Sequence, residues 1–232
     1  MRFTLAALAF LLLSAEIPLA ERRSGYEFMG RETRAMQDDD ATNPALLWLL
    51  DGEALWKSQG CSGCHADMKG VAARYPKAGV SLDQQINRCL KTKPFPYESR
   101  ELLALTAYIG RQSRGMPIEM EWNEANRPFL EAGRAFFNRR QGQLNLACAQ
   151  CHDDNWGKQL SGSTIPQAHP TGYPIYRLEW QGMGSLQRRF RNCLIGVRAE
   201  PYPYGAKELV ELEMFLMWRA RGMKLETPAV RP

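Results

Sequence analysis

Cys61-Ser-Gly-Cys64-His65 and Cys148-Ala-Gln-Cys151-His152 are the residues of this 232-residue chain whose types and spacing most directly permit chemistry. Cys-x-x-Cys-His is the attachment sequence for c-type haem: the thiols form thioethers with the vinyl groups, and the adjacent His is placed to bind iron from one face. With only six Cys and three His in the chain, two such runs are not an accident of composition. A zinc site made of Cys-x-x-Cys pairs expects roughly 15–20 residues between its halves, whereas Cys64 and Cys148 stand 84 positions apart. A thioredoxin-like pair wants a strand-helix-strand setting that the sequence does not offer. Two covalently bound c-type haems are therefore expected, attached at Cys61 and Cys64 and at Cys148 and Cys151, with His65 and His152 as proximal iron ligands.

Two six-coordinate haems need four axial ligands, and His169 is the only histidine left. Bis-histidine ligation of both is excluded by that arithmetic. His169 lies in Ala168-His169-Pro170-Thr171-Gly172 and reads as a loop or surface histidine. The sulfur candidates come in matched pairs. Met116 and Met223 are one, and Met is a common distal ligand of cytochromes c. Cys89 and Cys193 are the other, each on a short amphipathic stretch. The competing reading of the Cys pair is a Cys89–Cys193 disulfide or two inert buried thiols. Arg189 stands four residues before Cys193, one helical turn away on the same face, where the first copy has Gln85 before Cys89. A guanidinium beside a sulfur lowers its proton affinity and offers an anion a forked partner, which marks the second site as the chemical one.

The elements that must hold these residues occur twice. Cys61 to His65, Asn87-Arg88-Cys89-Leu90, Pro94-Phe95-Pro96-Tyr97 and Arg114-Gly115-Met116 are matched in order by Cys148 to His152, Arg191-Asn192-Cys193-Leu194, Pro201-Tyr202-Pro203-Tyr204 and Arg221-Gly222-Met223. A repeat this long suits a duplicated domain rather than a solenoid unit. Apolar residues recur at helical spacing over 44–59 and 126–139, interrupted by Gly52 and Gly133, which would let another helix approach closely. The partner is the stretch after each Pro-aromatic-Pro-Tyr turn, where Leu102, Leu105, Tyr108 and Ile109 match Leu209, Leu212, Phe215 and Leu216. Leu82, Ile86 and Leu90, and in the second copy Leu186, Phe190, Leu194 and Val197, define the faces of the two cysteine helices. The expected fold is mostly α: two tandem cytochrome c-like domains arising by duplication, over 41–120 and 121–232. Residues 21–40 read as an N-terminal extension or linker, which Tyr26, Phe28 and Met29 could dock.

Arg2, the apolar run from Phe3 to Leu13, and the small residues near Ala15 and Ala20 have the layout of a secretory signal peptide over 1–20. The run is shorter than the roughly 20 apolar residues that span a bilayer. The expected mature form is exported to the periplasm, without a membrane span. The net charge of +5 sits in the second half, where Arg188, Arg189, Arg191 and Arg198 fall together with no acid among them. That points to a local anion site rather than to nucleic acid, which would show as a broad basic face.

Arg23-Ser-Gly-Tyr26, Gly142-Gln-Leu-Asn-Leu-Ala-Cys148-Ala-Gln-Cys151-His152, Tyr173-Pro-Ile-Tyr-Arg177 and Arg189-Phe-Arg-Asn-Cys193 together resemble the SoxA subunits of the SoxAX cytochromes, the thiosulfate-oxidising enzymes of sulfur bacteria, in their dihaem form. The resemblance implies His/Cys ligation of both haems, by His65 and Cys89 and by His152 and Cys193, and association with a smaller monohaem SoxX subunit. It implies a haem-dependent L-cysteine S-thiosulfotransferase that joins thiosulfate oxidatively to a cysteine of the SoxYZ carrier protein. Two electrons pass to haem and on to an electron-accepting cytochrome c. Cys193 would be the persulfide-bearing catalytic cysteine and Arg189 the substrate-binding residue, with Arg191, Arg188 and Arg198 helping to attract the dianion. Two other readings stand beside it: a dihaem electron carrier with Met116 and Met223 as distal ligands and no substrate chemistry, and a dihaem peroxidase with an open haem face.

Overall fold

The computed structural model describes residues 17–232, so most of the signal-peptide reading lies outside the described residues. The chain runs α1 (Arg31–Asp38), α2 (Leu46–Ser58), α3 (Leu82–Cys89), α4 (Arg100–Arg111), α5 (Arg127–Asn138) and α6 (Cys148–His152), then four short strands, β1 (Gln159–Leu160), β2 (Ser163–Thr164), β3 (Ile175–Arg177) and β4 (Gly182–Gly184). It closes with α7 (Leu186–Gly196), α8 (Lys207–Arg219) and β5 (Ala229–Arg231). No helix among the described residues is long and apolar enough to cross a membrane.

Helices α2 and α4 pack on each other in the first copy, as α5 and α8 do in the second. Glycine makes both crossings possible. A Cβ on Gly52 would overlap the carbonyl oxygen of Ala104, and one on Gly133 that of Glu211. Any side chain at either point would push the axes apart. Serine starts α4 and α7: Ser99 Oγ accepts from Leu102 N at 3.2 Å and Ser185 Oγ from Arg188 N at 3.1 Å. Ser81 and Gln84 form a reciprocal cap on α3. Each cap satisfies backbone donors that a helix start leaves open.

Each copy has its own core. Trp56, Ile86, Leu102, Leu105 and Ile109 fill the first; Phe136, Phe137, Phe190, Leu194 and Phe215 are among those filling the second. Two further clusters join the copies. Ala73, Ile118 and Met120 pack with Leu130, Met214, Met217 and Leu225, and Ala45, Leu103 and Ala107 pack with Tyr176 and Met183. The segments after α4 and α8 also pair through their backbones: Leu225 N donates to Met116 O at 2.9 Å and Ile118 N to Met223 O at 2.9 Å.

Residues 21–40 are not a loose linker. Helix α1 docks on β5, which itself runs parallel to β3 with Ile175 opposite Ala229. The contact is polar: Gln37, 3% exposed, accepts from Val230 N at 3.1 Å and from the Arg231 guanidinium. Further upstream Arg22 donates to Arg221 O at 2.6 Å, and Arg23 N to Gln167 Oε1 at 2.7 Å. Of the three candidate docking residues, Met29 is buried and Tyr26 donates to Asp38 at 2.6 Å.

Candidate haem centres and the sulfur site

The second motif occupies the short helix α6. Gln150 Oε1 accepts from Ala147 N at 2.9 Å at its start, and Asn155 Nδ2 donates to Gln150 O at 2.6 Å at its end. Arg219 of α8 pairs with Asp153 at 2.6 Å, which ties the motif to the closing helix. His152 Nδ1 meets Pro166 O at 2.7 Å. A backbone acceptor on Nδ1 fixes the ring and presents Nε2, the arrangement that orients metal-binding histidines.

Cys193 lies on α7 across from this ring, within hydrogen-bonding reach of His152. Burial pushes its thiol up, but the His152 contact and the charges of Arg189 and Arg177 outweigh that and leave it below the usual thiol range. Cys148 and Cys151 go the other way. Burial, with Cys193 nearby, pushes Cys148 up to about 12 and raises Cys151 as well. Five residues thus converge on one spot, with a thiol pair at one edge, an imidazole facing a sulfur, and a guanidinium beside that sulfur. Phe190 and Leu194 of the second core supply apolar walls against Cys148 and Tyr173. A pair of thiols, an adjacent oriented imidazole and an opposed sulfur are the donor set a c-type haem requires, so the residues fit that group.

The first motif repeats the arrangement with less cover. Cys61–Gly63 form a single turn, Cys64, His65 and Cys89 are exposed, and Cys61 packs against the first core. Burial and then the neighbouring Cys89 raise the Cys61 thiol. The Trp56 and His65 rings lie 6.1 Å apart. Gln85 Nε2 donates to Cys89 Sγ at 3.2 Å, so the residue one turn before each cysteine touches or faces its sulfur, neutral here and cationic at Arg189. All six cysteines are free; Cys89 and Cys193 face their own motifs rather than each other.

Several expectations change. Arg188 stacks over Trp180 at 4.4 Å and sits 3.8 Å from Glu98. Arg191 stacks over Tyr204 at 4.6 Å and donates to Tyr202 O. Both are engaged away from an anion at Cys193, because they occupy other faces of α7. Arg198 is exposed beyond the helix end. The second guanidinium at the site is one the sequence reading gave no role, Arg177 of β3. Its side chain is 12% exposed, paired with Glu179 at 3.0 Å and donating through Nε to Pro232 O at 2.8 Å. Tyr173 also faces Cys193 and Arg189 and is raised by burial. His169 lies in a loop but not on the surface: it is 8% exposed, meets Arg23 O at 2.9 Å, and burial pulls it down to about 4. It is a neutral structural histidine. Met116 lies against Gly70 and Met223 against the cluster between the copies.

The family model of the SoxA/TsdA cytochrome c domain matches residues 51–118 and 132–225. The chain is 35% identical to the L-cysteine S-thiosulfotransferase subunit SoxA of Pseudaminobacter salicylatoxidans over 92% of its own length and 82% of that protein. It is 31% identical to the subunit of the same name from Rhodovulum sulfidophilum, over 91% of this chain and 80% of that one. Its structure matches the crystal structure of SoxXA from P. pantotrophus with a TM-score of 0.87 at 28% identity, covering 91% of this chain and 87% of that chain.

Proposed function

The chain belongs to the SoxA/TsdA cytochrome c family, and from that membership we propose that it is the catalytic subunit of a periplasmic L-cysteine S-thiosulfotransferase that carries two c-type haems. It works with a SoxX subunit and acts on thiosulfate and a cysteine of a SoxYZ carrier. In the reaction a bond forms between the outer sulfur of thiosulfate and the carrier cysteine sulfur. The thiol gives up its proton, and two electrons leave the joined sulfurs.

The observation that carries this reading is the convergence of His152, Cys193 and Arg189 at one half-buried spot. Bound haem supplies the one-electron acceptors. The protein's own groups do the rest. Arg189, held one turn from Cys193, and Arg177 from β3 attract and orient a small dianion. Cys193, whose thiolate they favour, offers a sulfur that can be joined to the outer sulfur of thiosulfate with loss of two electrons to those acceptors; the carrier thiolate then takes that outer sulfur with its sulfonate and Cys193 leaves as thiolate. His152, anchored by Pro166, and Cys193 would hold iron in this copy, and His65 and Cys89 in the first. The first copy has Gln85 where the second has Arg189, so it lacks the charge that would hold the dianion and serves as an electron store or a structural counterpart rather than as the substrate site. Replacing Cys193 with Ala or Met is expected to abolish thiosulfate-dependent haem reduction in the presence of carrier and partner. Full activity in either variant would overturn the reading.

A further inference from the structure

Between the two copies lies a cavity of about 60 Å³, lined by Tyr75, Asp83 and Thr106 from the first and by Tyr173, Gln187 and Glu213 from the second. That volume has room for water. No residue lining it is basic. Asp83 of α3 accepts from Thr106 Oγ1 of α4 at 2.6 Å, and Glu213 of α8 from Gln187 Nε2 of α7 at 3.3 Å. The two carboxylates thus face one small space from different domains, each held by a neutral donor. Gly205 braces the same interface, giving its carbonyl to Gln84 at 3.1 Å and its amide to Gln187 at 2.8 Å.

The groups around the pair do not neutralise it. Glu98 adds negative charge beside Asp83 and is itself faced by Arg188 and Ser185. Tyr97 faces both carboxylates, with Arg88 beyond it. Lys207 is engaged with Glu211 at 3.6 Å on α8. Two like charges sharing a desolvated site cannot both remain at neutral pH. Burial, with Asp83 adding to it, pushes Glu213 up to about 8, and burial pushes Asp83 up to about 6. The pair therefore holds one proton at neutral pH and keeps one place for another. The water-sized space that both carboxylates line is the route by which a proton would reach them.

The position of the cavity gives this a purpose. Tyr75 in its wall lies near Cys89, and Tyr173 in its wall lies near Cys193 and Arg189. It sits between the two sulfur sites, where added negative charge in either copy is felt. We propose that Asp83 and Glu213 form a proton-accepting pair linked to haem reduction, taking one proton from solvent as an electron arrives in either copy. The electron comes from the joined sulfurs, the proton from water, and the charge change at the domain interface is cancelled. By linkage, the proton and the electron favour each other's binding equally. The inference rests on haem being present in both copies, as in the reading above.

Redox titration of the holoprotein followed by haem absorbance, from about pH 5 to about pH 9, tests it. Midpoint potentials are expected to fall with rising pH in the native protein, and much less steeply in Asp83→Asn and Glu213→Gln. Equal slopes in all three proteins, or no slope in the native one, would overturn it. Redox-induced infrared difference spectra of the native protein need no variant: reduction should add a protonated-carboxyl band, and its absence overturns the proposal. Thiosulfate conjugation measured on the same samples separates the two claims. Normal turnover with pH-independent potentials sinks the proton pair alone, and a clear slope without thiosulfate activity sinks the enzymatic reading alone.

Discussion

Arg189→Gln converts the second sulfur turn into a copy of the first, where Gln85 reaches Cys89 Sγ at 3.2 Å. The neutral donor remains and only the charge and the fork are lost. Arg189 is half-buried and close enough to Cys193 for each to act on the other's charge. Truncating one partner of a desolvated charge pair costs about 2–5 kcal/mol. Arg177 stays in place, so the lower part of that range applies, about 2–3 kcal/mol. At 1.36 kcal/mol per decade this is about a 30- to 150-fold fall in kcat/KM for thiosulfate. Steady-state conjugation assays at several ionic strengths would read it. The loss should fall mainly on KM, and the residual activity should depend less on salt. Adding Gln85→Arg should not restore it, because that turn lies in the other copy. A kcat/KM within about twofold of the native value would refute the assignment of Arg189 to the substrate.

Gly133→Ala is expected to destabilise the fold by about 1–3 kcal/mol, read from denaturant midpoints, since a Cβ there overlaps the Glu211 carbonyl. A change under about 0.5 kcal/mol would mean that α5 and α8 are not in contact at that point. Glu213 carries the opposite kind of effect. Its pKa is raised from 4.5 to about 8, so the folded state binds the extra proton. The stability it contributes is fully present below pH 4.5 and is lost as pH rises through about 8. Glu213→Gln should therefore be more stable than the native protein at alkaline pH, by about 2–4 kcal/mol, with a flatter profile in thermal melts; parallel profiles would refute this. Intact-mass spectrometry of the exported protein should show two covalent haems and cleavage near residue 20, and a single haem would contradict the equivalence of the motifs.

What was legible in the sequence was local. The two Cys-x-x-Cys-His runs, the Arg189 and Gln85 turns and the helix faces are each contained in a short stretch of chain. Gly52 and Gly133 were legible because a glycine inside an apolar helix has few other uses. The rest depends on long-range pairing. Arg177 reaches the sulfur site because β3 pairs with the C-terminal strand, and nothing near residue 177 announces that. Helix α1 escaped notice because it docks through Gln37 and Arg231 rather than through an apolar stripe. Arg188 and Arg191 counted toward an anion site by proximity in sequence, yet helical geometry turns them to Trp180 and Tyr204. Asp83 and Glu213 come from different copies, so their meeting exists only once the domains are docked.

The central claim is that the two copies divide the work and that sulfur chemistry belongs to Cys193 alone. Mass analysis of the carrier cysteine after incubation with thiosulfate, an electron acceptor and the complex tests it most directly, using native protein, Cys89→Met and Cys193→Met. The thiosulfonate adduct is expected with the native protein and with Cys89→Met, and absent with Cys193→Met. An adduct formed at native yield by Cys193→Met, or lost equally in both variants, would contradict the account.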